Sequence, residues 1–474
     1  SYSLLDVRER SLFDRLGVFV GSFDAAAVEG VVTDADLEGS EVLDCLVSLV
    51  EKSMVLVEET DEATTRYRLL ETLRAFGRER LDAAGETDRW RRRHAEYYAA
   101  FCERAGPELA SAEELVWGRR VEAELDNIRA VLRWGSDATA QADADLALRI
   151  VIALAIVESQ ATWSTQRWAD ALIPRARSSS IAGRSGVLAA AAQWHSLLDD
   201  LDGAERLARE ALESPTGPGA SRFVAMSYWV MAAVRELQGR LADALELVAE
   251  GHRALDAAGA PWNDHGPLHF IASHICLNIG DLDGARREAD TCLEIARATG
   301  NPTRISLALG IEGRAWSSED PDRALAAFDE SIALAHAGAS GALHSGALAG
   351  AAKLRAQNGD RVGALSQLRA AIELCHDIGV RVNLGLAVER AVAILASLRE
   401  DSLAATCAGI VKSQSVTKFR SLSEIDRTAA QIAERLGPDA YQGAFARGAA
   451  LTYEEVAPTL LADLDQLLIG ADRP

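Results

Sequence analysis

The feature that most constrains this chain is a short pattern that recurs six times between Asp199 and Val411. In each copy, a turn residue is followed five positions later by an alanine at the start of a helical stretch. Successive alanines are 40, 41, 39, 40 and 40 residues apart; they are Ala204, Ala244, Ala285, Ala324, Ala364 and Ala404. A regular period in the range of about 20–50 residues is typical of stacked-repeat architectures. Such solenoids present long surfaces and grooves and seldom carry catalytic triads.

Each repeat is predicted to be a hairpin of two helices. A glycine follows each of four landmark alanines by 14 or 15 residues, which is a suitable distance for the end of a helix. These glycines are Gly259, Gly300, Gly338 and Gly379. The small alanine side chain lets the paired helices approach closely, so we expect every landmark alanine to be buried.

The N-terminal part has a different pattern, of three amphipathic helices followed by two short alternating segments and a further helix. This order is that of a winged helix, whose usual function is DNA binding. The helix that would enter the major groove, 41–52, carries Glu41, Asp44 and Glu51 against Lys52 alone. It has no Arg, Asn or Gln to read base edges. We therefore expect it to contact protein, and direct nucleic acid binding remains the alternative.

Five stretches of the chain resemble successive signatures of one bacterial family. They are LFDRLGVFVGSFDAAAVEGVV (12–32), VLDCLVSLVEKSMVLVEE (42–59), RYRLLETLRAFGRERLDAAGE (66–86), RRHAEYYA (92–99) and VEAELDNIRAVLRW (121–134). The order is similar to that of STAND-type regulators, which are ATPase switches often grouped with the LuxR-type and SARP-type transcriptional regulators. In that family an NB-ARC-like ATPase precedes a winged helix and tetratricopeptide-like repeats. The resemblance implies a mainly α chain: an N-terminal winged helix followed by a right-handed α-solenoid of tetratricopeptide-like helix hairpins.

Two departures from the family pattern limit what the resemblance implies. No GxxxxGK[ST] motif occurs in the chain, so the loop that cradles phosphates is missing. We expect ATP to bind only in a preceding domain that is absent here, and no cofactor in this chain. The Met-His-Asp triplet of related switches corresponds to Leu69, Leu70 and Glu71, and Leu70 cannot donate a hydrogen bond to a phosphate.

Charge and cysteine content narrow the possible partners. The net charge of −22 disfavours binding to nucleic acid phosphates and anionic membranes. The six cysteines are scattered without a CxxC pair, which predicts reduced thiols and a cytoplasmic protein. No apolar run reaches membrane-spanning length. The expected partners are the ATPase domain of a parent protein and a protein or small-molecule effector, with no membrane.

The chain is predicted to divide into four parts. They are a winged helix with a trailing helix (1–106), an irregular helical entry unit that begins at Pro107 (107–186), the repeats (187–413) and a helical C-terminal cap (414–474). In the entry unit, Asn127 lies on an amphipathic helix. We expect its side chain to satisfy the backbone groups of a neighbouring loop, although a functional role is the alternative.

Polar and aromatic residues on the first helices of the repeats are the candidates for an effector groove. Tyr228 and His269 both lie sixteen residues before their landmark alanines, so they should line one wall of the solenoid. The complete candidate set is Tyr228, Arg235, His269, Trp316 and Arg355. Packing in the interior is the competing interpretation for the aromatic residues.

Catalytic and metal sites find little support in the sequence. His265, His269 and His274 are close in sequence, but Gly266 and Pro267 interrupt the helix between the first two, and ordinary surface or half-buried histidines are expected. There is no GxSxG motif and no cysteine in a nucleophile context. The sequence therefore predicts a non-catalytic regulatory segment that binds an effector on its repeats and controls a switch domain. A transcription factor that uses its winged helix on DNA is the alternative.

Overall fold

The computed structural model describes residues 2–58, 65–155, 160–213, 217, 219–338, 344–378, 381–413 and 422–471. The chain forms two compact units. The first contains Ser1–Leu109, Val116–Val157 and Ala161–Val187, and the second contains Ala110–Leu115, Glu158–Gln160 and Leu188–Pro474. Within the described part of the chain, no helix is both long enough and apolar enough to cross a bilayer.

The first unit begins with the predicted winged helix. Its elements are α1 (Val7–Leu16), β1 (Phe23–Asp24), α2 (Ala25–Val32), α3 (Gly39–Glu51), β2 (Leu56–Glu58), β3 (Arg66–Arg68) and α4 (Glu71–Ala84). Asp6 starts α1 because its carboxylate accepts a hydrogen bond from the Glu9 backbone, and the Glu9 side chain reaches back to the Asp6 N–H. Gly85 ends α4 in the left-handed conformation, at φ 69°.

A short third strand completes the sheet of the winged helix. The strands are antiparallel in the order β1-β3-β2, and Tyr67 pairs with Phe23 on one side and with Val57 on the other. The sequence predicted only the two-stranded ribbon, because β1 has two residues and shows no detectable alternation of polar and apolar side chains.

Five further helices complete the first unit. They are α5 (Thr87–Leu109), α6 (Glu114–Ala123), α7 (Leu125–Asp137), α8 (Gln141–Leu154) and α9 (Gln160–Ser178). Pro107 lies inside α5, so this helix runs across the predicted start of the entry unit. Proline removes only one intrahelical hydrogen bond near the end of a helix, and buried Cys102 and Leu109 hold the last turns of α5 in the core.

The second unit consists mainly of helix hairpins. The hairpin helices are α10 (Ser185–Leu197), α11 (Leu201–Leu212), α12 (Ala220–Leu237), α13 (Leu241–Ala257), α14 (Gly266–Ile279), α15 (Leu282–Thr299), α16 (Pro302–Trp316), α17 (Pro321–His336), α18 (Ser345–Gln357), α19 (Arg361–Ile378), α20 (Arg381–Ser397) and α21 (Asp401–Ser413). Every landmark alanine is the fourth residue of the second helix of its hairpin and has 0% of its surface exposed. The predicted fold class and repeat register are therefore confirmed.

The turn inside each hairpin explains the rest of the repeated pattern. The residue five positions before the alanine has positive φ in five of the six hairpins; these residues are Asp199, Gly239, Gly280, Gly359 and Arg399. In several hairpins the next residue is an aspartate that caps the second helix, as when Asp281 accepts from the Gly284 N–H at 2.9 Å. Three of the four predicted stop glycines, Gly259, Gly300 and Gly338, also have positive φ. Gly379 lies outside the described residues.

The first and second helices of the hairpins form two layers. We call α12, α14, α16, α18 and α20 the inner helices and α13, α15, α17, α19 and α21 the outer helices. In the described residues, successive inner helices contact each other more extensively than successive outer helices do. Because the more closely spaced layer lies on the inside of a curved stack, the exposed surface of the inner helices is concave.

Three helices follow the repeats: α22 (Leu422–Leu436), α23 (Pro438–Ala449) and α24 (Tyr453–Ala471). α23 crosses α21 so closely that a Cβ on Gly448 would lie 1.9 Å from the Thr406 carbonyl oxygen. α24 packs back on α19, where Arg369 Nε donates to Asp465 at 2.5 Å. These helices share one apolar core with the last two hairpins.

Candidate functional site

A concavity of the second unit lies on the inner helices. It has a volume of about 460 Å³. Its walls come from α14, α16, α18 and α20, with Ile425 and Thr428 of α22 at one end. We call this concavity, together with the adjoining cavity described next, the inner groove.

The adjoining cavity lies towards the first hairpins and has a volume of about 170 Å³. Trp229, Phe270 and His274 contribute aromatic surface to it. The two cavities share five lining residues: Glu236, Arg314, Gly346, Leu386 and Arg390. They therefore form one continuous depression.

The floor of the inner groove depends on glycines inside the inner helices. The ring of Phe328, on the outer helix α17, inserts between α16 and α18 and is fully buried. A Cβ on Gly313 would lie 2.6 Å from this ring, and a Cβ on Gly350 would lie 2.3 Å from it. Only glycine at both positions leaves room for the ring, which packs beneath the groove and supports its floor.

Positive and negative side chains both line the inner groove. Arg314, Lys353 and Arg390 come from three successive inner helices, and the acidic residues are Glu236 and Glu389. The Glu236 carboxylate is held by the His274 ring, whose Nδ1 lies 2.6 Å away, and by the side-chain amide of Asn278. The groove therefore has one more basic than acidic side chain, in a chain of net charge −22.

None of the five residues predicted for the effector groove is among the residues that line these two cavities. Arg235 pairs with Glu205, and this contact lowers the pKa of the Glu205 carboxyl. Arg355 donates to both carboxylate oxygens of Asp329, at 2.7 and 3.0 Å. These arginines connect an inner helix to the outer helix of the preceding hairpin.

The aromatic candidates also make contacts between neighbouring helices. Tyr228 packs in the core of the second and third hairpins, where burial raises the pKa of its hydroxyl. The Trp316 ring lies 3.9 Å below the Arg323 guanidinium. The interior-packing interpretation therefore describes the positions of both rings, and their participation in binding remains a prediction.

His269 belongs to a cluster of three imidazoles outside the inner groove. Its Nδ1 lies 2.7 Å from Glu288 Oε2, and its ring centre is 4.7 Å from that of His252. His252 Nδ1 in turn lies 2.8 Å from His265 Nδ1. Burial, followed by the charges of His269 and His265, lowers the pKa of His252 to about 4. Among the described residues, no group of three or more His, Cys, Asp or Glu side chains is arranged to hold a metal ion.

Glycines within the helices are the sequence feature that could have indicated the inner groove. Gly310, Gly346 and Gly350, which line the groove, and Gly313, which packs against Phe328, all lie within helices, where glycine costs about 1 kcal/mol relative to alanine. A glycine retained inside a helix usually has a packing or functional reason. The four positions face either a neighbouring helix or the groove itself.

A second candidate surface is the exposed side of α3 in the winged helix. Leu43 is 40% exposed and Val47 is 54% exposed, and Asp44 and Glu51 lie beside them. Glu41 pairs with Arg8 at 2.8 Å. This surface is apolar and acidic, so it lacks the donors that read base edges in a major groove.

Asn127 has the structural role that the sequence predicted. Its Oδ1 accepts from the Val20 N–H at 3.0 Å, and its Nδ2 donates to the Ser22 carbonyl at 2.9 Å. The same Oδ1 lies 3.3 Å from His94 Nε2. Asn127 is completely buried, and its side chain satisfies backbone hydrogen-bonding groups of the loop before β1.

Comparisons with known proteins identify the N-terminal domain. Residues 5–82 match the winged helix-turn-helix domain family. A predicted HTH-type transcriptional regulator of Mycobacterium tuberculosis (strain H37Rv) is 42% identical over 138 residues. The match covers 29% of this chain and only 15% of that regulator's length. The winged helix and the relationship to HTH-type regulators are therefore established, as the resemblance in the sequence implied.

Two solved structures align over larger parts of the chain. One is a Rap protein complexed with competence and sporulation factor, at 13% identity and a TM-score of 0.49, which covers 78% of this chain and 99% of the Rap chain. The other is a STAND protein with a tetratricopeptide repeat sensor from Pyrococcus horikoshii, at 13% identity and a TM-score of 0.48. It covers 99% of this chain and 64% of the other.

Proposed function

We propose that this chain is a non-catalytic regulatory segment of a STAND-type signalling ATPase or transcriptional regulator. In this proposal, the helix hairpins bind an effector in the inner groove, and the chain controls an ATPase switch domain elsewhere in the parent protein. The observation that carries the proposal is the inner groove itself, which combines the aromatic surface of Trp229 and Phe270 with charged side chains from three successive inner helices. Small-molecule sites are commonly concave, largely apolar and supplied with a few polar groups.

The effector would act by a population shift. It can favour a released state of the switch only by binding that state more tightly than the inhibited state. The inner groove suits this role because successive inner helices contribute its walls, so a ligand that contacts several of them would change their spacing. All six cysteines are buried and none forms a disulfide, which is in keeping with a cytoplasmic setting.

A groove-filling variant tests the proposal. Gly346 lines both cavities, and a Cβ there would meet only the end of the Arg390 side chain, at 3.5 Å. Gly346→Phe should therefore place a ring in the groove without a backbone clash. A Cβ on Gly443 of α23 meets nothing within 4 Å, so Gly443→Phe is the matched control.

The measurement is thermal unfolding of both variants and the wild type with a library of small metabolites and short peptides. Compounds that stabilise the wild type and Gly443→Phe should fail to stabilise Gly346→Phe, because the ring occupies their site. If every stabilising compound acted equally on both variants, recognition would lie outside the groove and the proposal would be refuted.

DNA binding is the second candidate function, because the N-terminal residues match a winged helix-turn-helix family. The acidic and apolar exposed side of α3 argues for a protein contact instead. Gel-shift titration of the chain with duplex DNA at several salt concentrations distinguishes DNA binding from a protein contact by the winged helix. Tight binding whose affinity falls steeply with salt would favour the DNA-binding function.

A further inference from the structure

We propose that the ligand of the inner groove is a small amphiphilic carboxylate, whose acidic group binds at Lys353, Arg314 and Arg390 while its apolar body covers the groove floor. This inference rests on the proposed function, since it names the chemical class that the effector would have.

Lys353 is the first reason. Lysine is rare in this chain, with four among 49 basic residues. Two of the others have acidic partners: Lys52 pairs with Glu9, and Lys412 lies 2.6 Å from Asp426. Among the lysines that the structure describes, Lys353 alone has no ion pair, and it is exposed at the edge of the inner groove. An ammonium group there is available to a ligand.

The charge balance of the inner groove is the second reason. Arg314 and Arg390 line the same cavity as Lys353, so three cationic groups border one space of about 460 Å³. The buried Glu236 carboxylate is directed to His274 and Asn278. Glu389 also lines the cavity, so the three cationic groups outnumber the carboxylates by one. The carboxylate of a ligand would gain charge-assisted hydrogen bonds from the cations, which are stronger than neutral ones.

The apolar lining is the third reason. Leu241, Leu277 and Leu386 line the larger cavity, and all three side chains are half-buried. A purely ionic ligand would leave this surface facing water, whereas an acyl or aromatic body would bury it at about 25 cal/mol per Å². The volume lies within the range of roughly 300–1,000 Å³ that is usual for small-molecule sites.

Two fluorescent probes that differ in charge test the inference. Anilinonaphthalene sulfonate carries one anionic group on an aromatic body, and N-phenylnaphthylamine has a closely similar body without the charge. Binding of both probes is titrated to the complete chain and to three variants: Lys353→Gln, the control Lys412→Gln and the groove-filling Gly346→Phe. Circular dichroism and thermal unfolding verify that each variant is folded.

The expected result is selective for charge. Lys353→Gln should weaken binding of the anionic probe about tenfold, the size of one lost charge-assisted hydrogen bond. It should leave the neutral probe unaffected. Lys412→Gln should bind both probes as the wild type does, and Gly346→Phe should lose both. Added salt should weaken only the anionic probe.

Other results would overturn the inference in distinguishable ways. If Gly346→Phe lost both probes but Lys353→Gln changed neither, the inner groove would be a neutral apolar site, and the proposed function would stand. If Lys353→Gln weakened both probes equally, the lysine would have a structural role only. If Gly346→Phe retained both probes, or if the wild type bound neither, the groove would be excluded and the proposed function would lose its site.

Competition identifies the source of the carboxylate. Displacement of the anionic probe by decanoate supports a free organic acid. Displacement by N-acetyl-trileucine, and not by its C-terminal amide, supports a peptide carboxyl terminus. If neither compound displaced the probe, the assignment of a carboxylate ligand would be wrong.

Discussion

Acidification should destabilise the first unit through one buried imidazole, that of His94. The ring packs beside Phe19 and Tyr98 and is 4% exposed. Burial lowers the pKa of His94 to about 4, and the hydrogen bond to Asn127 opposes this only in part. The ordinary value in an unfolded chain is about 6.5. The folded state therefore favours the neutral ring.

The sign of the effect follows from these two pKa values. Above about pH 6.5, the buried neutral ring of His94 does not reduce the free energy of unfolding of the first unit. As the pH drops, that free energy falls, and the loss is complete below about pH 4. A difference of about 2.5 pKa units between the folded and unfolded states corresponds to roughly 3 kcal/mol of the free energy of unfolding. About 2 kcal/mol of this is lost between pH 7 and pH 5.

The matched control is His94→Gln, whose amide nitrogen can donate to Asn127 but does not titrate. Hydrogen exchange of α5, followed by mass spectrometry at several urea concentrations, gives the opening free energy of this unit separately from the second unit. Lowering the pH from 7 to 5 should reduce that free energy by about 2 kcal/mol more in the wild type than in His94→Gln. If the two proteins lost stability in parallel, His94 would not be buried in the neutral form and the argument would be wrong.

Four further substitutions test the packing. Gly448→Ala should destabilise the second unit by about 1–3 kcal/mol because its Cβ would meet the Thr406 carbonyl. Gly443→Ala on the same helix should stabilise the unit by about 0.5–1 kcal/mol, since nothing lies within 4 Å of its Cβ. Urea denaturation measures both changes. Ala285→Trp should overpack the third hairpin and cost at least about 1–3 kcal/mol, and an unchanged melting temperature would contradict the repeat register. Asn127→Leu should leave the Val20 N–H unpaired, while the Ser22 carbonyl keeps its hydrogen bond from Arg66. The substitution should cost about 1–3 kcal/mol and increase hydrogen exchange at that loop; unchanged exchange would count against the role of Asn127.

The architecture could be predicted from the sequence because it depends on interactions between residues that are close in the chain. The interval of about 40 residues, the positive φ of the turn residue and the buried alanine all lie within one hairpin. The winged helix could likewise be predicted from its amphipathic helices and its two short alternating segments. Even Asn127 could be predicted, because a short polar side chain beside a loop has few other ways to be satisfied.

The location of the groove depended on tertiary structure. Tyr228 and its neighbour Trp229 are adjacent in sequence, yet only Trp229 lines the smaller cavity, while Tyr228 packs against other helices. A rotation of about 100° between neighbouring helical residues decides which of them faces the groove. Arg235 and Arg355 were credible ligand contacts by residue type, but each finds an acidic partner on the preceding outer helix.

Sequence thus determined the number, length and order of the hairpins, since each requires only contacts between residues close in the chain. Tertiary structure determined which polar groups remain available in the inner groove, because pairing between charges depends on how hairpins about 40 residues apart are stacked. Lys353 illustrates the difference: its sequence position marks an inner helix, but only the stacked repeats show that it has no acidic partner among the described residues and lines the same cavity as Arg314 and Arg390.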